Sequence, residues 1–342
     1  MAKRHYLDGR PTIAQIARIA GVSISTVSKV LNERADVAQP TRERVEQVIK
    51  EYGFVHNRAA RALQKGKSWL VDLILPHLDD EYFLPILEGV SQVLSEARVR
   101  MVVTSTHDSA EEEFQLIDTI TDHSTGGILI VLPSEEAIEH LKRLDLPFVL
   151  IHNQGSSQPT VPSVTITSWE GGFDATTYLI NLGHRRIAYI GKTAPARDAI
   201  ERIAAYRAAL DVAHLPIDPE LQYAGTFTEH DGYIATRAML ELSDPPTAIF
   251  AGNDRQAAGA YRALQEVGKN VPDDMSVIGF DNLAYTEIMA PPLTTVHAPR
   301  LELGRTAAMM LLRLIAGEEL EMPRMVLPTQ FIERRSCRPL SR

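Results

Sequence analysis

The sequence of 342 residues predicts a small all-α head followed by a larger α/β core that contains two doubly wound parallel sheets. Two observations support this fold class. Near the N-terminus, apolar residues recur at helical spacing on both sides of a turn, and from Trp69 onward short apolar runs alternate with amphipathic helices. The chain is long enough for two or three domains, and 44% of its residues are hydrophobic, which is ample for buried cores.

The head is predicted to begin with two short helices joined by a turn at Gly21. Ser23 is a suitable N-cap for the second helix. This is the pattern of a helix-turn-helix whose second helix enters a major groove, although a purely structural helical hairpin has the same pattern. The first helix has apolar residues at i, i+3, i+4 and i+7, which are Ile13, Ile16, Ala17 and Ala20, and the outward positions of the second are Ile24, Ser25, Ser28 and Lys29.

A third helix and a short cationic segment complete the predicted head. Thr41 is a suitable N-cap for the third helix, and Gly53 lies just past its end. Residues 57–67 then carry several cations and helix-favouring alanines, but they are too few to form a stable helix in isolation. Such a segment fits one that folds only against phosphates, and a linker that happens to be basic is the alternative.

The charges are distributed unevenly along the chain. Residues 1–68 contain 13 Lys and Arg residues against 6 Asp and Glu residues, whereas the whole chain contains 35 against 44. The head is therefore basic and the remainder acidic. A basic module joined to an acidic body is typical of a protein whose small domain binds a polyanion such as DNA.

The core is predicted as two successive β-α-β-α runs with a break near residues 165–169. Two parallel sheets that face each other enclose a cleft, the hinge-closure architecture of periplasmic binding proteins. Ile128–Leu132 fits a core helix on periodicity alone, but Gly126, Gly127 and Pro133 favour a strand. The predicted strands are Leu70–Leu75, Met101–Ser105, Ile128–Leu132, Phe148–His152, Ile187–Gly191, Ala248–Gly252 and Val277–Phe280, and the predicted helices are Tyr82–Ala97, Glu170–Leu182, Ala199–Ala213 and Asp254–Val267.

Several polar side chains lie just past strand ends, where such sheets bind ligands. Asn253 and Asp281 follow predicted strands, and Arg202 opens a helix soon after another. Together with the ring of Phe227, these groups suit vicinal hydroxyls and the apolar face of a sugar. The structural alternatives are an N-cap for Asn253, an Asx-turn for Asp281 and a surface ion pair for Arg202.

Other residues near the predicted cleft have less specific interpretations. Asp79 and Asp80 precede two aromatic residues after the first strand and offer acceptors for hydroxyl groups. His152 and Asn153 end the fourth strand, where ligand contact and a loop role remain equal alternatives. Trp169 is interpreted as packing between the two subdomains.

Motifs of enzymes, metal sites and membrane spans are not indicated. Gly191-Lys192-Thr193 is similar to the end of a phosphate-binding loop, but Arg186 stands where the first glycine belongs. The histidines lack metal-binding spacing, and the single cysteine, Cys337, excludes an internal disulfide and a cysteine cluster. We therefore expect no cofactor, no metal and no catalytic residues. Neither an apolar run long enough to span a membrane nor a secretory signal is present, which favours the cytoplasm.

Thr12 to Asn32 and Val55 to Leu63 resemble the head and hinge of the lactose-repressor (LacI/GalR) family of bacterial transcription regulators. Pro246–Asp254, Val277–Asn282 and Leu293–Val296 extend the resemblance over nearly the whole chain. The head motif is highly specific to that family. The resemblance implies a regulator that binds operator DNA with its head and a small effector with its core.

The resemblance also implies roles for individual residues. Leu63 would be the hinge leucine that enters the minor groove at the operator centre and bends the duplex. Ile24 is unusual, because an apolar contact, for example to a thymine methyl, replaces the polar group often found there. DNA contacts are expected at Ser23, Ile24, Ser25, Thr26, Lys29, Asn32, Asn57, Ala60, Arg61, Leu63 and Gln64, and effector contacts at Asp80, Tyr82, Phe83, His152, Arg202, Phe227, Asn253 and Asp281.

We therefore expect a head of residues 1–56, a hinge of 57–67 and a core of 68–342. Within the core, an N-subdomain would cover about 69–166 and 300–326, and a C-subdomain about 167–299 and 327–340. The expected function is repression of carbohydrate-catabolic genes, with release from a palindromic operator by a mono- or disaccharide. The alternatives are a regulator that needs a nucleoside or purine corepressor and a sugar receptor that does not bind DNA.

A homodimer is expected, because one head reads only a half-site of a palindrome. The C-terminal residues from Phe331 to Arg342 contain no leucine heptads of the kind that join dimers into tetramers in some family members. The expected partners are thus double-stranded operator DNA, a small effector and a second copy of the chain, without a membrane.

Overall fold

The computed structural model describes residues 13–31, 34, 36–52, 70–121, 125–152, 160–192 and 197–340. The chain divides into two compact units, Met1–Ser68 and Trp69–Arg342. The predicted fold class, a helical head with an α/β core of parallel sheets, is confirmed. Within the described segments, no helix has the length and apolar character needed to cross a bilayer.

Three helices pack around a small core of their own in the head. They are α1 (Ile13–Ala20), α2 (Ile24–Leu31) and α3 (Gln39–Tyr52). Gly21 has a φ of +64° between α1 and α2, a backbone conformation that glycine adopts without strain. The buried apolar side chains shared by the helices are Ile16, Ala17, Ala20, Val27, Val30 and Val45.

The start of α3 differs from the prediction. The Ala38 carbonyl oxygen accepts hydrogen bonds from the backbone nitrogens of Thr41 and Arg42, each at 3.0 Å. The helix therefore begins at Gln39, and the prediction of Thr41 as its N-cap is wrong. Pro40 fits the first turn, because the N–H that proline lacks has no partner within a helix at that position.

The core is built from twelve strands and eight longer helices within the described residues. In chain order its first half contains β1 (Leu70–Leu75), α4 (Leu84–Glu96), β2 (Arg100–Ser105), α5 (Ala110–Thr121), β3 (Ile128–Val131), α6 (Glu135–Leu141), β4 (Phe148–Ile151), β5 (Ser163–Ile166), α7 (Ser168–Asn181) and β6 (Ile187–Lys192). Its second half contains α8 (Arg197–Val212), β7 (Gln222–Gly225), α9 (Glu229–Leu240), β8 (Ala248–Ala251), α10 (Asp254–Glu266), β9 (Ser276–Ile278), β10 (Thr295–His297), α11 (Arg300–Ile315), β11 (Arg324–Leu327) and β12 (Gln330–Ile332).

These strands form two parallel sheets and one antiparallel pair. The first sheet has the order β11-β5-β4-β3-β1-β2 and the second has the order β7-β6-β8-β9, while β10 pairs with β12. Inner strands such as Ile128–Val131 are buried at every position, as expected for strands covered by helices on both faces. Because all strands of a parallel sheet point the same way, the loops at their carboxyl ends lie on one edge.

Within the described residues, the chain passes between the two subdomains three times: after β5, after β10 and after β11. Thr167 and Thr329 join the first and last of these crossings. Thr329 N donates to Thr167 Oγ1 at 2.8 Å, and Thr329 Oγ1 donates to the Thr167 carbonyl oxygen at 3.1 Å. At the remaining crossing, Arg300 Nη2 donates to the Asn282 carbonyl oxygen at 3.0 Å. These three connections join the two subdomains of the core.

The strands and helices predicted from the sequence are present in the structure, with small differences at their ends. The strand predicted at Val277–Phe280 runs from Ser276 to Ile278, because Gly279 and Phe280 bend away into the loop that carries Asp281. A strand, β5, occupies the region predicted as a break near Thr165. Arg202 does not open its helix: α8 begins at Arg197, so Arg202 lies in the second turn.

Helices α4 and α11 cross at two glycines, which allows their backbones to touch. A Cβ atom on Gly304 would overlap the carbonyl oxygen of Ile86, and one on Gly89 would overlap the carbonyl oxygen of Leu301. Both obstacles are backbone atoms of the facing helix, which cannot rotate aside as a flexible side chain would. This contact between the two helices holds α11, which follows the connection after β10, against the first sheet.

We expect Gly304→Ala to lower the free energy of unfolding by about 1–3 kcal/mol, because the added methyl group must push the two helices apart. Arg313→Ala, on the exposed face of the same helix, is the matched control and should change it by less than about 0.5 kcal/mol. Thermal unfolding of both variants, followed by circular dichroism, makes the comparison. A Gly304→Ala protein that unfolds like the wild type would show that the crossing adjusts without cost.

Candidate functional site

Helix α2 presents a row of hydroxyl groups to solvent. Ser23 Oγ accepts a hydrogen bond from Thr26 N at 3.1 Å, so it caps α2 as predicted. The same oxygen lies 2.7 Å from Ser25 Oγ and 2.8 Å from Thr26 Oγ1. Ile24 projects beside them with 51% of its surface exposed. The first turn of α2 therefore offers both hydrogen-bonding groups and an apolar side chain.

Lys29 is the cation among the predicted DNA contacts that the structure describes. Its Nζ lies 2.7 Å from Asp36 Oδ2, and both side chains are more than half exposed. The hydrogen bond from Lys29 lowers the pKa of Asp36. To reach a base, Lys29 must leave this pair. The remaining predicted DNA contacts lie outside the described residues: Asn32, Asn57, Ala60, Arg61, Leu63 and Gln64.

A cavity of about 610 Å³ lies where the carboxyl ends of strands from both sheets face each other. Its size is within the range of small-molecule sites. Asp79 also lies on its wall. The cavity is lined by all eight residues predicted to contact an effector, which are Asp80, Tyr82, Phe83, His152, Arg202, Phe227, Asn253 and Asp281.

The wall from the first sheet is organised around Tyr82. Its hydroxyl lies 2.8 Å from His152 Nε2, and its backbone nitrogen donates to Asp80 Oδ1 at 2.9 Å. Phe83 packs edge-on against the Tyr82 ring with centroids 5.3 Å apart. Phe83 itself is only 5% exposed, so it supports the wall while Tyr82 and His152 form its polar surface.

The wall from the second sheet is organised around Arg202, which is 3% exposed. Its guanidinium carbon lies 3.6 Å from the centroid of the Phe280 ring. Nη1 donates to the Gly252 carbonyl oxygen at 2.5 Å, and Nη2 lies 3.5 Å from Asp281 Oδ1. The interpretation of Arg202 as a surface ion pair is therefore wrong, because the pair that it forms is buried.

Two pairs of polar side chains meet across the cleft between the walls. His152 Nδ1 lies 2.9 Å from Asp198 Oδ2, and Arg255 Nη1 lies 2.7 Å from Asp80 Oδ2. Burial alone would raise the pKa of Asp198, but His152, with help from Arg202, lowers it to about 2. The carboxylate of Asp198 is therefore ionised at every physiological pH.

The loop that carries Asp281 is fixed by the neighbouring buried carboxyl group of Asp254. Asp254 Oδ2 accepts a hydrogen bond from Leu283 N at 2.7 Å and Oδ1 accepts one from the Thr295 hydroxyl at 2.6 Å, which fixes the loop around Asp281. Burial and the charge of Asp281 raise the pKa of Asp254 well above its usual range. Burial also raises the pKa of Asp281 to about 6, although Arg202 opposes the change.

Asn253 performs the structural role that was one of its two interpretations. Its Oδ1 accepts a hydrogen bond from Gln256 N at 2.8 Å, so it is the N-cap of α10. Its Nδ2 donates to the Phe227 carbonyl oxygen at 3.0 Å and so holds the loop that carries the Phe227 ring. Asn253 lines the cavity, but both ends of its amide already have partners.

The loops that line the cavity contain a concentration of unusual backbone conformations. Leu132, His152, Phe227 and Asp281 have φ values of +55°, +55°, +66° and +109°, in a region that side chains other than glycine rarely adopt. Such conformations persist only where the surroundings enforce them, and they cluster at functional sites. In this core they turn the Phe227 ring and the Asp281 carboxylate toward the cavity.

The cavity is also lined by Asp198, Arg255 and Lys192, which were not among the predicted effector contacts. Each follows or ends a strand of the second sheet, so the carboxyl-end rule used for Asn253 also applies to them. Trp169, interpreted as packing between subdomains, is 40% exposed and instead stacks on Phe173 with ring centroids 5.1 Å apart. Among the residues described, no cluster of His, Cys, Asp and Glu is arranged to hold a metal ion, and Asn153 lies outside the description.

Comparison with known proteins matches both parts of the chain. Residues 12–57 match the family described as bacterial regulatory proteins, lacI family, and residues 176–337 match the periplasmic binding protein-like domain. The chain is 31% identical over 333 residues to the HTH-type transcriptional repressor PurR of Vibrio atlanticus (strain LGP32), which covers 96% of this chain and 99% of that protein.

Solved structures agree with this match over the full length. The chain is similar to the lac repressor dimer bound to operator and the anti-inducer ONPF, with a TM-score of 0.88 and 26% identity over 96% of this chain and 99% of the other. It is also similar to the transcriptional regulator CelR in complex with cellobiose, with a TM-score of 0.74 and 32% identity over 96% of this chain and all of that one (100%).

The ionised Asp198 leads to a pH-dependent prediction. Its pKa of about 2 lies below the unfolded value near 3.8, so its contribution to stability is present above pH 4 and is lost as the pH falls toward 2. Asp198→Asn should therefore lower the free energy of unfolding by about 2 kcal/mol at pH 6, with a smaller difference at pH 3.

Melting curves of the full chain between pH 3 and 7 measure this difference. Asp211→Asn, an exposed carboxylate on the same helix, is the matched control and should follow the wild type at every pH. A gap between Asp198→Asn and wild type that stays constant over this range would contradict the assigned role of the Asp198 carboxylate.

Proposed function

We propose that this protein is released from its operator by a saccharide bound in the core cavity. The chain belongs to the lacI family of bacterial regulatory proteins and is a DNA-binding transcriptional repressor. The observation that carries the proposal is the convergence of carboxylates, a buried guanidinium and an aromatic ring on one cavity. The regulated genes would belong to carbohydrate catabolism. A repressor must reach the chromosome, so we place the protein in the bacterial cytoplasm.

The head would read DNA through α2 in the major groove. Ile24, Ser25 and Lys29 would face the bases, and the hydroxyl groups of Ser23 and Thr26 would contact the backbone together with Asn32. Lys29 is supported by its exposure and charge, and Ile24 by its exposed apolar surface. In the hinge we assign DNA contacts to Asn57, Ala60, Arg61, Leu63 and Gln64, with Leu63 as the minor-groove wedge.

We propose a head of residues 1–56, a hinge of 57–67 and a core from 68 onward, assembled as a homodimer on a palindromic operator. Each head reads one half-site, and two-fold symmetry of the protein matches that of the DNA. The similarity to a repressor solved as a dimer on its operator supports this assembly. In the core, an N-subdomain of about 69–166 and 300–326 and a C-subdomain of about 167–299 and 327–340 would enclose the effector.

A saccharide fits the chemistry of the cavity walls. Asp281 Oδ1 is a buried acceptor and Arg202 Nε a buried donor, and neither has a hydrogen-bond partner among the described residues, so both suit ligand hydroxyl groups. The Phe227 ring, 5.7 Å from the guanidinium of Arg202, can cover the apolar face of a pyranose. The similarity to a regulator solved with cellobiose supports this class of ligand. A nucleoside is the alternative effector, because its base could stack on the same rings.

The mechanism would couple ligand binding to the angle between the subdomains. Three chain connections join the subdomains at one side, while the pairs His152–Asp198 and Asp80–Arg255 join them across the cleft. A ligand that contacts both walls stabilises one cleft angle relative to another and so shifts a two-state equilibrium. A change in cleft angle would change the spacing of the two N-subdomains in a dimer. That spacing would in turn determine how well the two 57–67 segments fit the operator.

We expect Lys29→Ala to weaken operator binding by about 1–3 kcal/mol and to relax the preference at one base pair in each half-site. An operator selected by the wild-type protein from a randomised palindrome provides the test sequence, and fluorescence anisotropy measures binding to it and to its single-base variants. Lys50→Ala, on the exposed surface of α3, is the control for lost charge. Uniform weakening across all sequences would assign Lys29 to a phosphate instead.

A ligand screen tests the effector. We expect one of cellobiose, maltose, glucose, galactose and ribose to raise the melting temperature of the full chain, since a ligand at 100 times its Kd stabilises by about 2.7 kcal/mol. The same sugar should release the selected operator. Asp281→Ala should abolish the shift, whereas Glu96→Ala, an exposed acid of α4 outside the cavity, should retain it. A shift with adenosine, guanosine, cytidine or uridine and with no sugar would reject the saccharide.

A further inference from the structure

We infer that the core cavity selects an effector that is rich in hydrogen-bond donors and uncharged or cationic, and that it discriminates against the phosphorylated or acidic form of the same molecule. This inference rests on the proposed function of the cavity as the effector site. It concerns the charge class of the ligand, which the resemblance to saccharide-binding relatives leaves open. Three features of the cavity support it.

The first feature is an excess of carboxylates on the wall. Among the described residues, the permanent cations that line the cavity are Lys192, Arg202 and Arg255. The carboxylates on the same wall are Asp79, Asp80, Glu81, Asp108, Asp198 and Asp281. Apart from His77 and His152, which line the same wall, the carboxylates of the described residues outnumber the permanent cations by six to three. An anionic ligand would enter a space that already repels it, and repulsion is stronger there than in bulk water because the effective dielectric constant is lower.

The second feature is that the terminal guanidinium nitrogens of the two arginines already face partners, while Arg202 Nε has no hydrogen-bond partner among the described residues. Arg255 is paired with Asp80 at 2.7 Å. Arg202 donates to the Gly252 carbonyl oxygen, faces Asp281 and has one side of its guanidinium covered by the Phe280 ring. A phosphate or carboxylate would have to break these contacts before it could form the two parallel hydrogen bonds that make arginine an effective anion binder. Lys192, 5.9 Å from the Phe227 ring centroid, is the remaining permanent cation on the described wall.

The third feature is that acceptors remain open while neutral donors are used. Asp281 is 4% exposed, and its Oδ1 accepts no hydrogen bond from the described residues. By contrast, the Thr226 and Thr228 hydroxyls both donate to Asp231 Oδ2 at 2.8 Å, and Asn253 donates to the Phe227 carbonyl oxygen. A buried acceptor without a donor is costly. A ligand hydroxyl or ammonium group supplies that donor, and a phosphate oxygen cannot.

The experiment compares matched ligands on the full-length protein by isothermal titration calorimetry. The probes are glucose with glucosamine, gluconate and glucose 6-phosphate; cellobiose with cellobionate; ribose with ribose 5-phosphate; and adenosine with AMP. In every set with a member that binds, we expect the neutral or amino form to bind at least about tenfold more tightly than the anionic form. Tighter binding of any phosphorylated or acidic form, or binding by none of the neutral and amino forms, would overturn the inference.

Charge variants connect the preference to the cavity wall. Among the described residues, Asp79 and Glu81 form no ion pair on that wall, so the double variant Asp79→Asn, Glu81→Gln removes repulsion with little loss of structure. It should reduce the discrimination between the neutral and anionic probes severalfold, whereas Glu96→Gln should leave it unchanged. Unchanged discrimination in the double variant would contradict an electrostatic origin.

The two proposals fail in different ways. Binding of adenosine in preference to AMP, with no response to any sugar, would reject the saccharide effector and retain the charge selectivity. Binding of glucose 6-phosphate in preference to glucose would retain the saccharide and reject the charge selectivity.

Discussion

The arrangement of the core cavity depends on the burial of one cation, Arg202. A guanidinium that is 3% exposed must be surrounded by acceptors and by a polarisable surface, because the cost of removing it from water is large. The Gly252 carbonyl oxygen, the Phe280 ring and the Asp281 carboxylate meet this requirement. Gly252 follows β8, whereas Phe280 and Asp281 lie in the loop after β9. Satisfying one buried charge therefore brings together helix α8 and two loops, and the cavity wall is their common surface.

Electrostatics also connect this wall to the opposite one. Arg202 helps to keep Asp198 ionised, and Asp198 in turn faces His152 of the first sheet at 2.9 Å. His152 contacts the Tyr82 hydroxyl, so a chain of contacts runs from one subdomain to the other through buried polar groups. Removing one partner from such a chain leaves another group buried without compensation, which costs more than the pair contributes. The walls are thereby coupled at the place where a ligand would bind.

Sequence reasoning predicted what depends on local pattern. The spacing of Ile16 and Ala20, the Gly21 turn and the buried run Ile128–Val131 are local signals, and the structure agrees with them. The rule that ligands bind at the carboxyl ends of parallel strands predicted that Asn253 and Asp281 would lie near the cavity, and both line it. It could not show that Asp80 pairs with Arg255, because 175 positions separate the two residues and their contact depends on how the sheets face each other.

The left-handed backbone at His152, Phe227 and Asp281 has a consequence for altering the specificity of this protein by directed evolution. Any β-branched residue introduced at those positions would be strained, so most members of a randomised library there would fold poorly rather than bind differently. Diversity would be better placed at Asp79, Lys192 and other cavity residues with ordinary backbone angles. The three strained positions act as fixed points of the scaffold, around which the ligand preference of the site can be changed.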